Sequence, residues 1–550
     1  MLQFNEIFTY PINQQFNKSV AYFSMEFAID QSLKNYSGGL GFLAGSHMRS
    51  VYDLQQNVVG IGLLWKYGYY DQARNADQTL RIDFIEKNYH FLTDTNIIFP
   101  LIIHDVEIKV KAYLLKPEVF GTAPIFLLST DIPENDHISQ TITHRLYDAN
   151  EATRIAQSIV LGAGGVKLLE VIGLEREVYH MNEGHGLPLI FSLFEKYRNI
   201  DDVKKRVAFT THTPEKAGNE SHNLDLLHKM SFFGKLDLET IKNVFKPEND
   251  TLDYTLTALR GAKIANAVSK LHGEVSNDMW ASFSGICKID YITNAQNKKF
   301  WKDDVLEIAL ANQDSDLLIK RKKELKKVLF YEVSNQCGKL FDPEVLTMVW
   351  ARRFAGYKRA DLIMNDTKEF FELINNSEYP IQIIWAGKPY PEDYYAINIF
   401  NDLIRTTKKI KNCAVLIGYE LGLSAMLKKG SDLWLNNPVL TREASGTSGM
   451  TAAMNASINL SIPDGWMPEF AKHGHNCFVV PNGNEGLPYN EMNKIESQNI
   501  IDVLEKEALP MYYNDRKKWN TIAFTAMQEV VPEFDSGRMA TEYYQKIYNY

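Results

Sequence analysis

The chain has 550 residues, 45% hydrophobic and 12% aromatic, with 59 Lys and Arg against 68 Asp and Glu and a formal net charge of -9. That length exceeds one ordinary hydrophobic core and predicts roughly two to four domains, while the composition excludes a disordered chain. The acidic balance, with no basic run standing apart from helices, excludes nucleic acid as a partner.

Taken in chain order, residues 1–17 lack a basic start followed by an apolar run, and no stretch reaches the roughly 18 apolar residues needed to cross a bilayer. A cytoplasmic location with no membrane partner is expected. A strand over 20–27, the turn Ser37-Gly38-Gly39-Leu40-Gly41 and a buried apolar run over 58–65 make an α/β opening. Residues 105–115 and 125–130 read as two strands, antiparallel to each other, and 143–169 carries helical periodicity. Strands over 177–180 and 207–211 each lead into a motif. One long helix is expected over 255–280, ahead of a short strand at 290–293. A charged helix over 314–334 follows, its Lys-rich stretch from Lys320 to Lys327 reading as a solvated face. A second α/β series starts at Asp342-Pro343, with strands near 346–350, 381–385, 414–417 and 432–435. Helices over 499–507, 516–530 and 536–548 close the chain, the last expected to cross back to the first lobe. The element order implies two Rossmann-like domains, residues 1–305 and 306–550. Cys287, Cys337, Cys413 and Cys477 show no C-x-x-C spacing and read as reduced core thiols, not as a disulfide framework or metal site.

In a doubly wound sheet, ligands bind beyond the carboxyl ends of the strands. The turn at 37–41 would set unblocked amides of Gly38, Gly39 and Leu40 at a helix start against an anion, although a plain tight turn explains it as well. In Arg352-Arg353-Phe354-Ala355-Gly356-Tyr357-Lys358-Arg359, directly after an apolar strand, Arg353 and Lys358 can converge on one phosphate. Solvated charges at a helix start are the plainer reading. His185, in Asn182-Glu183-Gly184-His185, can bond a sugar hydroxyl, and His212 in Thr211-His212-Thr213-Pro214 would support it; a satisfied core histidine is the alternative for both. Glu443 can accept from two hydroxyls beside the turn Ser445-Gly446-Thr447, where an ordinary N-cap explains Ser and Thr equally well.

Six segments in this order resemble the α-glucan phosphorylases, the short bacterial glycogen/maltodextrin type. They are Ala21-Tyr22-Phe23-Ser24-Met25-Glu26-Phe27, Tyr36 to Gly41, Asn182 to His185, Thr211 to Pro214, Ala351 to Arg359 and Glu443 to Met450. The resemblance implies a glycosyltransferase B fold, two Rossmann-like domains facing an interdomain cleft, that acts on α-1,4-glucans and phosphate to release glucose 1-phosphate with retention. It implies that Arg353, Lys358 and the Gly39 backbone hold the substrate phosphate. His185, Asn294, Glu443, Ser445 and Gly446 would hold the transferred glucose, with Tyr357 near its ring. Thr447 and Ser448 would face the phosphate of pyridoxal phosphate. The family sets the lysine that binds this cofactor as a Schiff base directly after the methionine, and here that position is Thr451. A hydroxyl forms no imine, so the cofactor is expected to bind non-covalently or not at all. Asn294 is followed by Ala295 where the family pattern tends to have glycine. Members often form dimers, so a homodimer is a partner the resemblance allows. Two other readings stay open: a transferase using a nucleotide sugar, and a silent glucan-binding relative.

Overall fold

The computed structural model describes residues 3–483 and 486–549, so Met1 and Leu2 of the N-terminal stretch lie outside the described residues. The chain forms two compact units. Unit 1 comprises the chain up to Tyr70, Phe84–Asn294 and the C-terminal segment from Ser536. Unit 2 comprises Asp71–Asp83 and Ala295–Asp535.

The strands of the first part are β1 (Val20–Phe23), β2 (Val58–Leu63), β3 (Asp71–Arg74), β4 (Leu80–Asp83), β5 (Thr93–Ile103), β6 (Val106–Leu115) and β7 (Ile125–Ser129). They are followed by β8 (Val178–Asn182), β9 (Val207–Thr210), β10 (Ser221–Asn223), β11 (Thr251–Asp253), β12 (Ile264–Ala267) and β13 (Lys288–Tyr291). Unit 1 is built on a nine-stranded sheet of order β13-β12-β9-β8-β1-β2-β7-β6-β5. From β13 to β7 every pairing is parallel, and β6 and β5 add antiparallel at one edge. Strands covered on both faces have no polar side, which is why β1, β2, β7 and β9 read as near-continuous apolar runs. The direction of strand addition reverses between β1 and β8, so the carboxyl ends of these neighbours form a topological switch point.

Unit 2 holds β14 (Leu346–Ala351), β15 (Ile381–Ala386), β16 (Cys413–Leu416), β17 (Leu433–Asn436), β18 (Ile458–Ser461) and β19 (Cys477–Val479). All are parallel, in the order β16-β15-β14-β17-β18-β19, the doubly wound Rossmann pattern with its switch point between β14 and β17. The α/β fold class read from the sequence is the one observed.

Several elements differ from expectation. The helix expected over 255–280 is two helices, Tyr254–Gly261 and Lys270–Trp280, around the buried strand β12. A short, Ala-rich run buried on both faces carries no periodicity that separates strand from helix. The long strand β5 was not foreseen. It joins β6 through His104 and Asp105, both at positive φ (52 and 60), a tight hairpin without the usual Asn-Gly signal. The division between units falls at 294/295 instead of 305/306: the Asn294 N–H bonds Val268 O in unit 1, whereas Gln296 N–H bonds Phe534 O in unit 2. The segment from Ser536 packs on the helix Gly39–Asp53, where Ser536 Oγ lies 2.6 Å from Ser50 Oγ. Of the four cysteines, Cys413 and Cys477 are buried and Cys287 and Cys337 half-buried, all as free thiols.

The hairpin β3–β4 leaves unit 1 to complete unit 2. Gln72 bonds Gly387 O and the amides of Gly418 and Tyr419, and Asn401 Oδ1 accepts from Leu80 N–H at 2.9 Å. Leu80 itself belongs to the unit 2 core. Leu80→Ala is therefore expected to remove about 2–3 kcal/mol from unit 2, read as a lower urea midpoint for its unfolding; an unchanged midpoint would contradict this packing.

Candidate active site

In unit 2 the chemistry gathers at the switch point. Leaving β14, the chain turns through residues 352–359, and the loop after β17 ties down its far end. Arg359 Nε donates to Asn437 O at 3.0 Å, Asn437 Nδ2 donates to Arg359 O at 2.8 Å, and Val439 N–H bonds Tyr357 O at 2.8 Å. Lys358 Nζ lies 2.7 Å from Glu443 Oε2, and Arg352 Nη1 lies 3.4 Å from the same oxygen. All three residues are buried, Glu443 and Lys358 at 9% exposure and Arg352 at 6%. Burial alone would raise the Glu443 carboxyl, but Lys358, Arg352 and Arg353 together hold it below its ordinary range, so it is ionised.

This ordering of cations differs from the sequence reading. Arg353 is exposed and acts on Glu443 through its charge, while its neighbour Arg352, not singled out from the sequence, is turned inward onto the carboxylate. Adjacent residues leaving a strand face opposite ways, so only one of the two arginines can point at Glu443. Tyr357 is half-buried, with Lys358 Nζ 5.1 Å from its ring centre.

The turn after Glu443 is fixed by close approach. Gly446 sits at φ +80, and a Cβ there would lie 3.1 Å from Glu443 Cγ, so only glycine lets the Glu443 side chain fold across the turn. Ser445 is 3% exposed and its Oγ has no partner among the described residues. Thr447 precedes the helix Ser448–Ala453 without making a side-chain cap, so the ordinary N-cap reading fails for it. Ser448 Oγ accepts from Trp434 Nε1 at 3.3 Å. Thr451 is fully buried, with its hydroxyl donated to Ser448 O at 3.0 Å.

In unit 1 the corresponding groups lie beyond β1, β8, β9 and β13, strands of one sheet. Glu26, after β1, is 2% exposed and accepts four bonds: from Ser37 N–H (2.7 Å), Gly38 N–H (3.1 Å), Ser37 Oγ (2.8 Å) and Tyr147 OH (2.6 Å). The turn expected to offer unblocked amides therefore already gives those of Ser37 and Gly38 to an internal carboxylate. Gly39 and Leu40 lie in the first helical turn, where no carbonyl of the helix reaches their N–H groups, and a Cβ on Gly39 would meet nothing within 4 Å.

Tyr147 also packs on His185, ring centres 5.6 Å apart, and His185 Nδ1 has no partner among the described residues. Glu183, at the strained φ of +72, accepts from the N–H of Gly184 (3.1 Å) and His212 (2.8 Å) and from Thr213 Oγ1 (3.2 Å). His212 Nε2 donates to Asn182 Oδ1 at 2.7 Å, and Asn182 Nδ2 donates to Ser24 Oγ at 3.2 Å. Loss of water around the ring, then the nearby His272 and His185, push His212 down to about 3, so it is a neutral imidazole. Asn294, 4% exposed, has its side-chain Oδ1 unpartnered among the described residues. Sequence reasoning missed Glu26, Tyr147 and Arg352 as site residues; the acidic residue inside the apolar segment 21–27 was the one signal that pointed to Glu26.

Comparisons with known proteins agree with this architecture. The carbohydrate phosphorylase family model matches residues 280–502. The chain is 31% identical to maltodextrin phosphorylase of Thermococcus litoralis, over 97% of this chain and 71% of that protein. It is 29% identical to glycogen phosphorylase of Aquifex aeolicus, over 97% of this chain and 86% of that protein. An uncharacterized protein of Methanocaldococcus jannaschii is 47% identical over 96% of this chain and all of its own length. Two Rossmann-type parallel sheets define a chain of the glycosyltransferase B class. The chain belongs to the carbohydrate phosphorylase family.

Glu443→Gln leaves Lys358 and Arg352 buried together without a counter-charge, and a loss of about 3 kcal/mol in unfolding free energy is expected at neutral pH. A carboxyl held below its ordinary value of 4.5 contributes fully above that value, and the contribution fades as pH falls through the lower folded value. The gap between wild type and variant in denaturant unfolding should therefore close in acid; a gap constant with pH would contradict the ion cluster.

Proposed function

We propose that the protein is a retaining α-glucan phosphorylase-type glycosyltransferase, which transfers the terminal glucose of an α-1,4-glucan to phosphate. The observation that carries this reading is the ionised Glu443 held by Lys358 and Arg352 at the switch point of unit 2. The bond from C1 to the bridging glycosidic oxygen breaks and a bond from C1 to a phosphate oxygen forms. A phosphate proton passes to the departing hydroxyl. The transition state has oxocarbenium character beside an anionic phosphate, so cations and amide donors fixed in advance lower its energy without reorganisation. Lys358, with the charges of Arg352 and Arg353, supplies the cations. Within unit 2, Glu443 and Ser445 are suited to receive sugar hydroxyls, and so, within unit 1, are His185 and Asn294. Support for those four comes from chemistry: one ionised carboxylate, and three side chains each with a buried polar atom that no group among the described residues satisfies.

The family's cofactor contributes a phosphate next to the substrate phosphate when bound. Here the anchor position is Thr451, which has no amine and whose hydroxyl is already committed to its own helix. These residues do not fit a cofactor held as an imine, and no step here depends on one.

Purified protein incubated with maltoheptaose and phosphate is expected to form glucose 1-phosphate, and its absorbance spectrum to show no imine band even after pyridoxal phosphate is added. Lys358→Ala should lower kcat/KM by roughly 100- to 1,000-fold, the scale of losing one fixed transition-state donor. Absence of glucose 1-phosphate under every supplement would remove the reading, and turnover of a nucleotide sugar in its place would make the protein a nucleotide-sugar transferase.

A further inference from the structure

Asp464 lies in the loop after β18, the strand next to β17, and is fully buried. Its Oδ2 accepts from the N–H of Glu443 at 2.9 Å and its Oδ1 from the N–H of Gly465 at 2.8 Å. One residue further on, Trp466 N–H bonds Ser445 O at 3.0 Å. Gly465 has φ +61, and a Cβ there would stand 2.2 Å from Ser445 O and 3.0 Å from Glu443 O. Two loops are thus pressed together backbone to backbone, with one carboxylate between them.

A buried acid in this position is expensive for the fold. Burial pushes Asp464 up to about 7, and the charge of Glu443 adds to the rise, against the pull of the Glu443, Gly465 and Thr441 amides. Two loops that needed only to pack would be served by a neutral acceptor. An acid that takes the N–H of the residue carrying the site carboxylate has a more specific effect: it fixes the main chain from which Glu443 reaches Lys358 and Arg352.

We propose that Asp464 is the positioning residue of Glu443, holding its carboxylate on Lys358 and Arg352 when a substrate phosphate competes for those cations. This rests on the phosphorylase reading for its catalytic consequence, and on the geometry of unit 2 alone for its structural one. Asn at 464 keeps the shape but turns an NH2 toward one of the two amides, so one bond is lost and a donor faces a donor.

Two measurements decide it. A crystal structure of D464N is expected to show the Glu443 carboxylate displaced beyond hydrogen-bond reach of Lys358; an unmoved Glu443 overturns the proposal. In phosphorolysis of maltoheptaose, D464N should lower kcat/KM about tenfold, yet change it less than about twofold when introduced into Glu443→Gln, because both changes act through one group. A wild-type rate in D464N, or losses that multiply in the double variant, overturns the proposal. Asp464→Ser serves if D464N does not fold, and failure of both to fold overturns it in favour of a general folding role. If the wild type shows no phosphorolysis, the proposed activity falls while the crystal structure still decides the role of Asp464.

Discussion

An ionised carboxylate that retains 9% exposure needs charge or donors close by, and at Glu443 it has two cations on a single oxygen. Much of the surrounding loop structure in unit 2 follows from keeping that arrangement in register. Residues 352–359 are tied to 437–439, glycine at 446 leaves space for the carboxylate to fold back, and the loop after β18 grips the main chain at 443 and 445. Each feature sits at the carboxyl end of β14, β17 or β18, neighbours at the reversal of strand order. The parallel sheet puts strand ends side by side, and the loops convert that adjacency into chemistry.

Unit 1 applies a related device without cations. Its organising acid, Glu26, is satisfied by N–H and O–H donors alone, and it joins the glycine turn to Tyr147, the ring against which His185 packs. Ser24 and Asn182 extend the network to His212. The His212 ring, kept neutral, is suited to bonding hydroxyl groups. The partners that set these groups are distant in sequence. Tyr147 is 121 residues from Glu26, and His212 is 30 from Asn182.

What could be read from the sequence follows the same physics. Strands of a sheet covered on both faces announce themselves as apolar runs, so β1, β2, β14 and β15 were legible, as were the loops that follow β1 and β14. The turn at Gly446 and the absence of an amine at Thr451 are statements about residue type and needed no coordinates. The choice between Arg352 and Arg353 was not legible, because it depends on which way the chain is facing as it leaves β14. Nor was the engagement of the Ser37 and Gly38 amides, since their acceptor lies across a turn and looks in sequence like any acid in a buried strand. β12 was lost in an alanine-rich run, and β3–β4 because nothing local marks a hairpin as serving the other unit.

The cations at the unit 2 switch point, kept in place by Glu443, are proposed to receive a phosphate. Titration calorimetry of glucose 1-phosphate against the wild type and Lys358→Ala tests it most directly. Saturable binding to the wild type that disappears in the variant is expected. Equal binding by both proteins, or none by the wild type, would contradict it.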